Sequence, residues 1–416
     1  SGDAKAAREA ALAAADGAEA SGADGTGAVA WLVALSSIAK GAVKPEDTEL
    51  FERRARAAIA RLGGPSDLLG DLEEILGGRR REDGKLEESL AHHKKELELR
   101  MEVYGEGSLA AADARAHIAG VLTFLDRVEE GAAEMELALQ DAEAAIGSDH
   151  PRLAAFLNVH GLNLKNRGRY EESYAALARA LEILERAVGK DSDRLSATIT
   201  NLGNTCMHLQ RLDEARALHG RAIAIKERTY GKEHPTVALA LNNLANVEIQ
   251  AKRFDEAIRL HERGLAIREK ALAPDDRMIG MSLTNLGDAL AGSKKLAEAT
   301  ERYRRSITIF EKLSGGKHSM LSYPLTGLGA ALIELGKPEE AIEPLERALA
   351  IRDKDGLAKD LAAETRFALA RALVASKKDR ERGLRLADEA RAEFVRGGEK
   401  KKVFLDELDA WRAVTK

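Results

Sequence analysis

RLSATITNLGNTCMHLQRLDEARALHGRAIAIKERTYGKEHP, residues 194–235, runs straight into TVALALNNLANVEIQAKRFDEAIRLHERGLAIREKALAPDDR, residues 236–277. The second stretch is the first rewritten position by position. Leu202-Gly203 becomes Leu244-Ala245, Leu212-Asp213-Glu214-Ala215 becomes Phe254-Asp255-Glu256-Ala257, and Ala222-Ile223-Ala224-Ile225 becomes Gly264-Leu265-Ala266-Ile267. Self-similarity at a period of 42 residues marks a repeat architecture. Each unit carries an apolar face that it buries only by stacking on its neighbours.

The period extends well beyond this pair. A small residue recurs every 42 positions at Gly77, Ala119, Gly161, Gly203, Ala245, Gly287 and Gly329. Between two apolar segments, the turn recurs as GKLEES (84–89), RVEEGA (127–132), RYEESY (169–174), RLDEAR (211–216), RFDEAI (253–258), KLAEAT (295–300) and KPEEAI (337–342). Acidic residues in a first turn suit the helix dipole, and Pro338 is tolerated where the amide has no helical partner. Glycine after the second segment, in Tyr104-Gly105, Ile146-Gly147, Val188-Gly189, Tyr230-Gly231 and Ser314-Gly315, suits a left-handed helix stop. Each unit therefore reads as two antiparallel helices, A and B, whose small residues let backbones approach.

The expected fold is all-α, a right-handed solenoid of antiparallel helix pairs. Residues 1–67 read as N-terminal helices forming a degenerate cap, with helices over 3–20, 28–40 and 46–62 and a break over 21–27. Residues 68–361 read as seven units: 68–109, 110–151, 152–193, 194–235, 236–277, 278–319 and 320–361. An eighth, divergent unit covers 362–402, and a capping helix 403–416. Trp31 and Trp411 are expected to cover the two exposed end faces.

Charge and composition narrow the function classes. The 64 basic and 69 acidic residues nearly cancel, without the basic surplus of a general nucleic-acid binder. The runs Arg79-Arg80-Arg81 and Lys400-Lys401-Lys402 lie beside acidic residues and read as solvated loop charge. A single cysteine, Cys206, rules out an intramolecular disulfide or a multi-cysteine metal site, and its apolar setting suits a buried side chain. No apolar run approaches the roughly 20 residues of a membrane span. The expectation is a cytoplasmic module, its Ser1-Gly2 start suggesting a fragment of a longer protein.

These residues resemble the tetratricopeptide repeat family, whose units carry a Leu-Gly pair in helix A and small or aromatic positions in helix B. Here those are Leu202-Gly203, then Ala215, His219 and Ala222. The unit length, the NNLA of Asn242 to Ala245, the RALEI of Arg179 to Ile183 and the GKEHP of Gly231 to Pro235 look like the long repeats of kinesin light chains and their bacterial relatives. The resemblance implies protein binding with a partner left open. It also implies a place beside a larger signalling protein, with a serine/threonine kinase or nucleotide-binding ATPase domain on the same polypeptide. The coiled coil of kinesin light chains has no counterpart here, so transport is not implied.

In such arrays the helix A row lines a concave groove. Asn201, Asn204 and His208 fall on one helical stripe, Asn243, Asn246 and Gln250 on the next, and Asn285 and Asp288 on the third. Asparagine is a poor helix-interior residue, so its recurrence needs a reason. One reading has these amides gripping the backbone of an extended peptide, using donor and acceptor together, as the resemblance also implies. The other has them bonding across repeats to hold the stack in register. The first is preferred. A second functional class, self-association or autoregulation through the convex face or end caps, stands as the alternative.

No catalytic role is expected. The signatures GxSxG, GxGxxG and the phosphate loop are missing, and carboxylates such as Asp255-Glu256 recur as helix starts. No cofactor and no metal site is expected. His93, His219 and His261 share a packing column with Met135, Leu177, Tyr303 and Leu345, no two histidines stand at i, i+4 on one helix, and His92 and His93 face different ways.

Overall fold

The computed structural model describes residues 2–37, 45–314, 319–355 and 359–415. All regular structure among the described residues is helical, and the chain divides into two compact units, residues 1–209 and 210–416. The division falls in the turn inside the 194–235 sequence repeat.

The first unit begins with α1 (Gly2–Ser21), α2 (Asp24–Ser36) and α3 (Pro45–Arg61). Helix pairs follow: α4 (Ser66–Glu82) with α5 (Leu86–Tyr104), α6 (Leu109–Phe124) with α7 (Val128–Ile146), and α8 (Leu153–Asn166) with α9 (Tyr170–Val188). The unit closes with α10 (Ser196–His208). Each helix packs on the next in sequence, and the A helices α6, α8 and α10 also touch their neighbours. Helix α2 starts four residues earlier than the sequence suggests. Gly25 and Gly27 do not break it but fall in its first turns, where Gly27 lies flat against α1. A Cβ there would meet the Ala18 methyl at 3.5 Å. Lys40, at the end of the expected helix, lies outside the described residues. Trp31 is buried among Leu35, Ala55, Ile59 and Leu72, so it sits in the N-terminal core.

The second unit starts with α11 (Leu212–Tyr230). It continues with α12 (Pro235–Gln250) and α13 (Phe254–Ala271), α14 (Arg277–Gly292) and α15 (Leu296–Ser314), and α16 (Ser322–Glu334) and α17 (Pro338–Asp355). The last pair is α18 (Lys359–Ala375) and α19 (Arg380–Arg396), followed by α20 (Lys402–Thr415). Trp411 of α20 meets the Phe367 ring edge-on at a centroid distance of 5.7 Å, on the side of the last pair. Gly315 of the expected Ser314-Gly315 stop lies outside the described residues.

The A-to-B turn is built the same way in every pair. The second residue after helix A has a positive φ at Gly84, Asp126, Gly168, Gln210, Lys252, Lys294 and Gly336, each 42 residues after the last. A left-handed residue here turns the chain back, and only some of these positions have the glycine that adopts it without strain. Helix B ends at Gly105, Gly147, Gly189 and Gly231, again with positive φ.

The small-residue column does what its spacing predicts. A Cβ on Gly161 would lie 2.6 Å from Leu177 Cγ, and one on Gly287 would lie 2.6 Å from the Tyr303 ring. Glycine therefore admits the large B-helix residue of its own pair. Buried hydroxyls add a polar tie, Ser89 Oγ donating to the Gly77 carbonyl and Ser173 Oγ to that of Gly161, both at 2.7 Å. Outside the core, an ion-pair ladder runs along the B helices. Arg179 meets Glu143 at 2.6 Å in the first unit. In the second, Arg263 meets Glu227 at 2.5 Å, Arg305 meets Glu269 at 2.6 Å, and Arg347 meets Glu311. Exposed pairs of this kind contribute about 0–1 kcal/mol each, so the apolar core carries the stack and the ladder trims its register.

Candidate functional site

In the first unit, α10 presents Asn201, Asn204 and His208 on one stripe. Asn201 Nδ2 donates to Asn158 Oδ1 of α8 at 3.0 Å, which ties two neighbouring A helices together. Asn204 is half-buried and makes no side-chain hydrogen bond among the described residues. His208 is exposed and stacks on Tyr170 of α9, with centroids 4.7 Å apart and the rings nearly parallel.

In the second unit, α12 carries Asn243, Asn246 and Gln250, and α14 carries Asn285 and Asp288. Asn285 Nδ2 donates to Asn242 Oδ1 at 2.7 Å, the same offset along the chain as the Asn201 bond. Asn243 and Asn246 are half-buried with no side-chain hydrogen bond among the described residues, and Gln250 is exposed. The candidate residues thus divide by contact. Asn201 and Asn285 hold adjacent A helices in register, as the stacking alternative expects of them. Asn204, Asn243 and Asn246 keep amide groups that no neighbour uses.

Asp288 accepts a hydrogen bond from the Tyr303 hydroxyl at 2.7 Å. Its carboxylate touches solvent but is ringed by protein, and that crowding pushes its pKa up to about 6 against the opposing Tyr303 bond. The Tyr303 ring fits between two glycines, since a Cβ on either Gly287 or Gly327 would lie 2.6 Å from it.

The histidines of the B column are core residues. His219 is fully buried with neither ring nitrogen bonded, and burial drives its pKa down to about 4. His261 behaves alike, burial and the nearby Arg268 charge bringing it to about 4. The loop histidines serve turns. His150 Nδ1 accepts from the Arg152 amide at 3.1 Å, and His234 Nδ1 caps α12 by accepting from the Thr236 amide at 3.3 Å.

One group escapes a reading that looks for ligands along single helices. His93 and Glu96 on α5 converge with His117 on α6, one ligand atom from each lying within 4.8 Å of the others. The Glu96 carboxylate, 1% exposed, accepts from His93 Nδ1 at 2.8 Å and from His117 Nδ1 at 3.3 Å. Burial works to raise the Glu96 pKa, but the bonds from His117 and His93 outweigh it and leave the carboxyl below the ordinary glutamate value. Burial likewise works to lower His117, yet Glu96 holds it above the usual imidazole range. Glu96 and His117 line a cavity of about 700 Å³ whose wall includes Glu74, Arg100, Asp113 and Arg152. Arg100 bonds Asp71 at 2.7 Å and Arg152 bonds Asp113 at 2.5 Å, so the cavity is charged but internally paired. The sequence held a signal for this group. Glu96 stands in a B-helix column otherwise filled by Ala138, Ala180, Ala222, Gly264, Ser306 and Ala348.

No helix among the described residues is long and apolar enough to cross a membrane. No curated protein matches the chain. Models of the tetratricopeptide repeat match residues 194–270 and 278–354, and a second such model matches 153–193. Among solved structures, the apo form of RapI is similar at 15% identity and a TM-score of 0.58, over 79% of this chain and 86% of that one. A Rap protein complexed with Competence and Sporulation Factor is similar at 17% identity and a TM-score of 0.50, over 82% of this chain and 87% of that one. A putative kinesin light chain from Podosopora anserina with nearly identical TPR-like repeats shows 25% identity and a TM-score of 0.42, over 50% of this chain and 98% of that one. Residues 153–354, built on the glycine-admitted helix pairs described above, are thus tetratricopeptide repeats.

Proposed function

We propose that the chain is a protein-binding scaffold whose A-helix row takes an extended peptide segment. Tetratricopeptide repeats are in general non-catalytic scaffolds, and the fold is compatible with protein–protein interaction. The observation that carries the finer reading is the state of two amides in the second unit. Asn243 and Asn246 stand half-buried in a helix interior, where asparagine is a poor helix former, and among the described residues no neighbour uses their donors or acceptors. A peptide backbone offers both complementary groups in any sequence context. The Rap protein complexed with Competence and Sporulation Factor shares this fold and lends the reading an analogue. In this reading the sequence repeats over 68–361 are the scaffold, 362–402 a divergent eighth repeat, and 403–416 a cap.

The test uses random 12-residue peptides displayed on phage and selected on the full chain, with the recovered peptide measured by fluorescence anisotropy. Asn243→Ala with Asn246→Ala should weaken binding roughly tenfold, two hydrogen bonds at about 0.5–1.5 kcal/mol each, while the melting curve stays in place. Unchanged affinity with an earlier melt would assign these amides to the stack and sink the groove reading.

A further inference from the structure

Three polar side chains meet at one point of the first unit. Glu96 occupies the column that holds only alanine, glycine or serine at the other well-formed repeats. His93 fills the packing position where Met135 and Leu177 stand in the next two repeats, and its ring lies against Gly77, where a Cβ would come within 2.6 Å of Nε2. His117 stands in the A-helix column that carries Asn201, Asn243 and Asn285 further along. A carboxylate at a position built for a methyl group is expensive to bury, and here it is 1% exposed. Two imidazoles from two different helices surround it, with ring centroids 5.0 Å apart.

We propose that His93, Glu96 and His117 form a binding site for a zinc-class divalent transition-metal ion. The donor set, two imidazole nitrogens and a carboxylate oxygen, is the mixed N and O set that zinc accepts at about 2.0–2.2 Å. Ligand atoms around a tetrahedral ion at those lengths sit roughly 3.4 Å apart. His117 Nδ1 already stands 3.3 Å from Glu96 and His93 Nδ1 stands 2.8 Å from it, and all three ligand atoms lie within 4.8 Å of one another, so no pair has to shift by more than about 1.4 Å to reach that spacing. The i, i+3 spacing of His93 and Glu96 puts both on one face of α5, and α6 supplies the third ligand. Glu96 and His117 both border the cavity of about 700 Å³, so a fourth position opens to solvent and a water molecule can complete the tetrahedron. An ion at this point crosslinks two successive repeats, binding α5 to α6 and stiffening the stack there.

Co²⁺ is the probe, because tetrahedral cobalt absorbs strongly in the visible. The full chain, without a polyhistidine tag and stripped with EDTA, is titrated with Co²⁺ and then with Zn²⁺. The expected result is a visible band saturating at one equivalent, displaced by Zn²⁺, with a thermal midpoint that rises on Zn²⁺ addition. His117→Ala, at a partly exposed position, should weaken Co²⁺ binding by at least roughly 100-fold and abolish the midpoint shift. A wild-type chain that shows neither the band nor the shift overturns the proposal, and the cluster is then an internal His–Glu–His hydrogen-bond triad. Retention of both signals in His117→Ala also overturns it, since the ion then sits elsewhere. Should that variant fail to fold, the wild-type titration decides alone.

Discussion

Asn285 donates its side-chain amide to Asn242 across 2.7 Å, joining two neighbouring A helices of the second unit by a bond between a residue and one 43 positions earlier. The amides of the candidate stripe are therefore of two kinds, and substitution should separate them. Asn285→Ala removes a donor and strands the Asn242 carbonyl, which costs about 1–2 kcal/mol. Its urea midpoint should fall, while Asn243→Ala stays within about 0.5 kcal/mol of wild type. Equal losses in the two variants would erase the distinction drawn here.

The buried histidines predict an acid-sensitive fold. The folded pKa of His261, about 4, lies below the unfolded value near 6.5. Its contribution to stability is thus complete above pH 6.5 and drains away as pH falls toward 4. His261→Leu places in this column the residue already found at Leu177 and Leu345. At pH 7.5 the variant should match or exceed wild type, and near pH 4 it should be the more stable by up to about 3 kcal/mol. Denaturant melts of both proteins at the two pH values provide the check, and parallel pH profiles would count against a buried neutral imidazole.

Asp288 predicts the opposite slope. Its folded pKa of about 6 lies above that of an unfolded aspartate, so it favours the fold at low pH and stability is lost as pH rises through 6. Asp288→Asn keeps an acceptor for the Tyr303 hydroxyl and removes the charge. The variant should melt higher than wild type at pH 7.5, and its advantage should vanish by pH 4. Solvent at the carboxylate screens part of the effect, so the sign of the difference is what the measurement reads.

The turns offer a stabilising change. Lys252 holds a φ of +58° at the position that Gly84, Gly168 and Gly336 occupy in other repeats. Lys252→Gly relieves the left-handed strain, while the freer unfolded chain takes back part of the gain. The net expectation is a rise in stability of up to about 1 kcal/mol, visible as a higher urea midpoint. A fall would mean that the lysine side chain contributes something the backbone geometry does not show.

The repeat period, the helix pairs and their turns were legible because each is a local pattern multiplied by recurrence. A glycine at one helix proves little, but Gly77, Gly161, Gly287 and Gly329 at a constant interval of 42, or its multiples, can only be packing. Recurrence also concealed exceptions. Gly25 and Gly27 read as helix breakers because composition alone does not reveal that α1 lies against Gly27.

Sequence alone thus settled that the chain is a stack of paired helices, since amphipathic periodicity and small-residue columns are written in linear order. It also picked out Asn201, Asn204, His208, Asn243, Asn246, Gln250, Asn285 and Asp288 as departures from that pattern. Only tertiary structure decided which departures are spent on neighbours. Asn201 meets Asn158, Asn285 meets Asn242 and Asp288 meets Tyr303, while His93 and Glu96 find His117 on another helix. Helical periodicity assigns a side chain to a face, but a contact between helices depends on their offset and separation, which arise only when whole repeats pack.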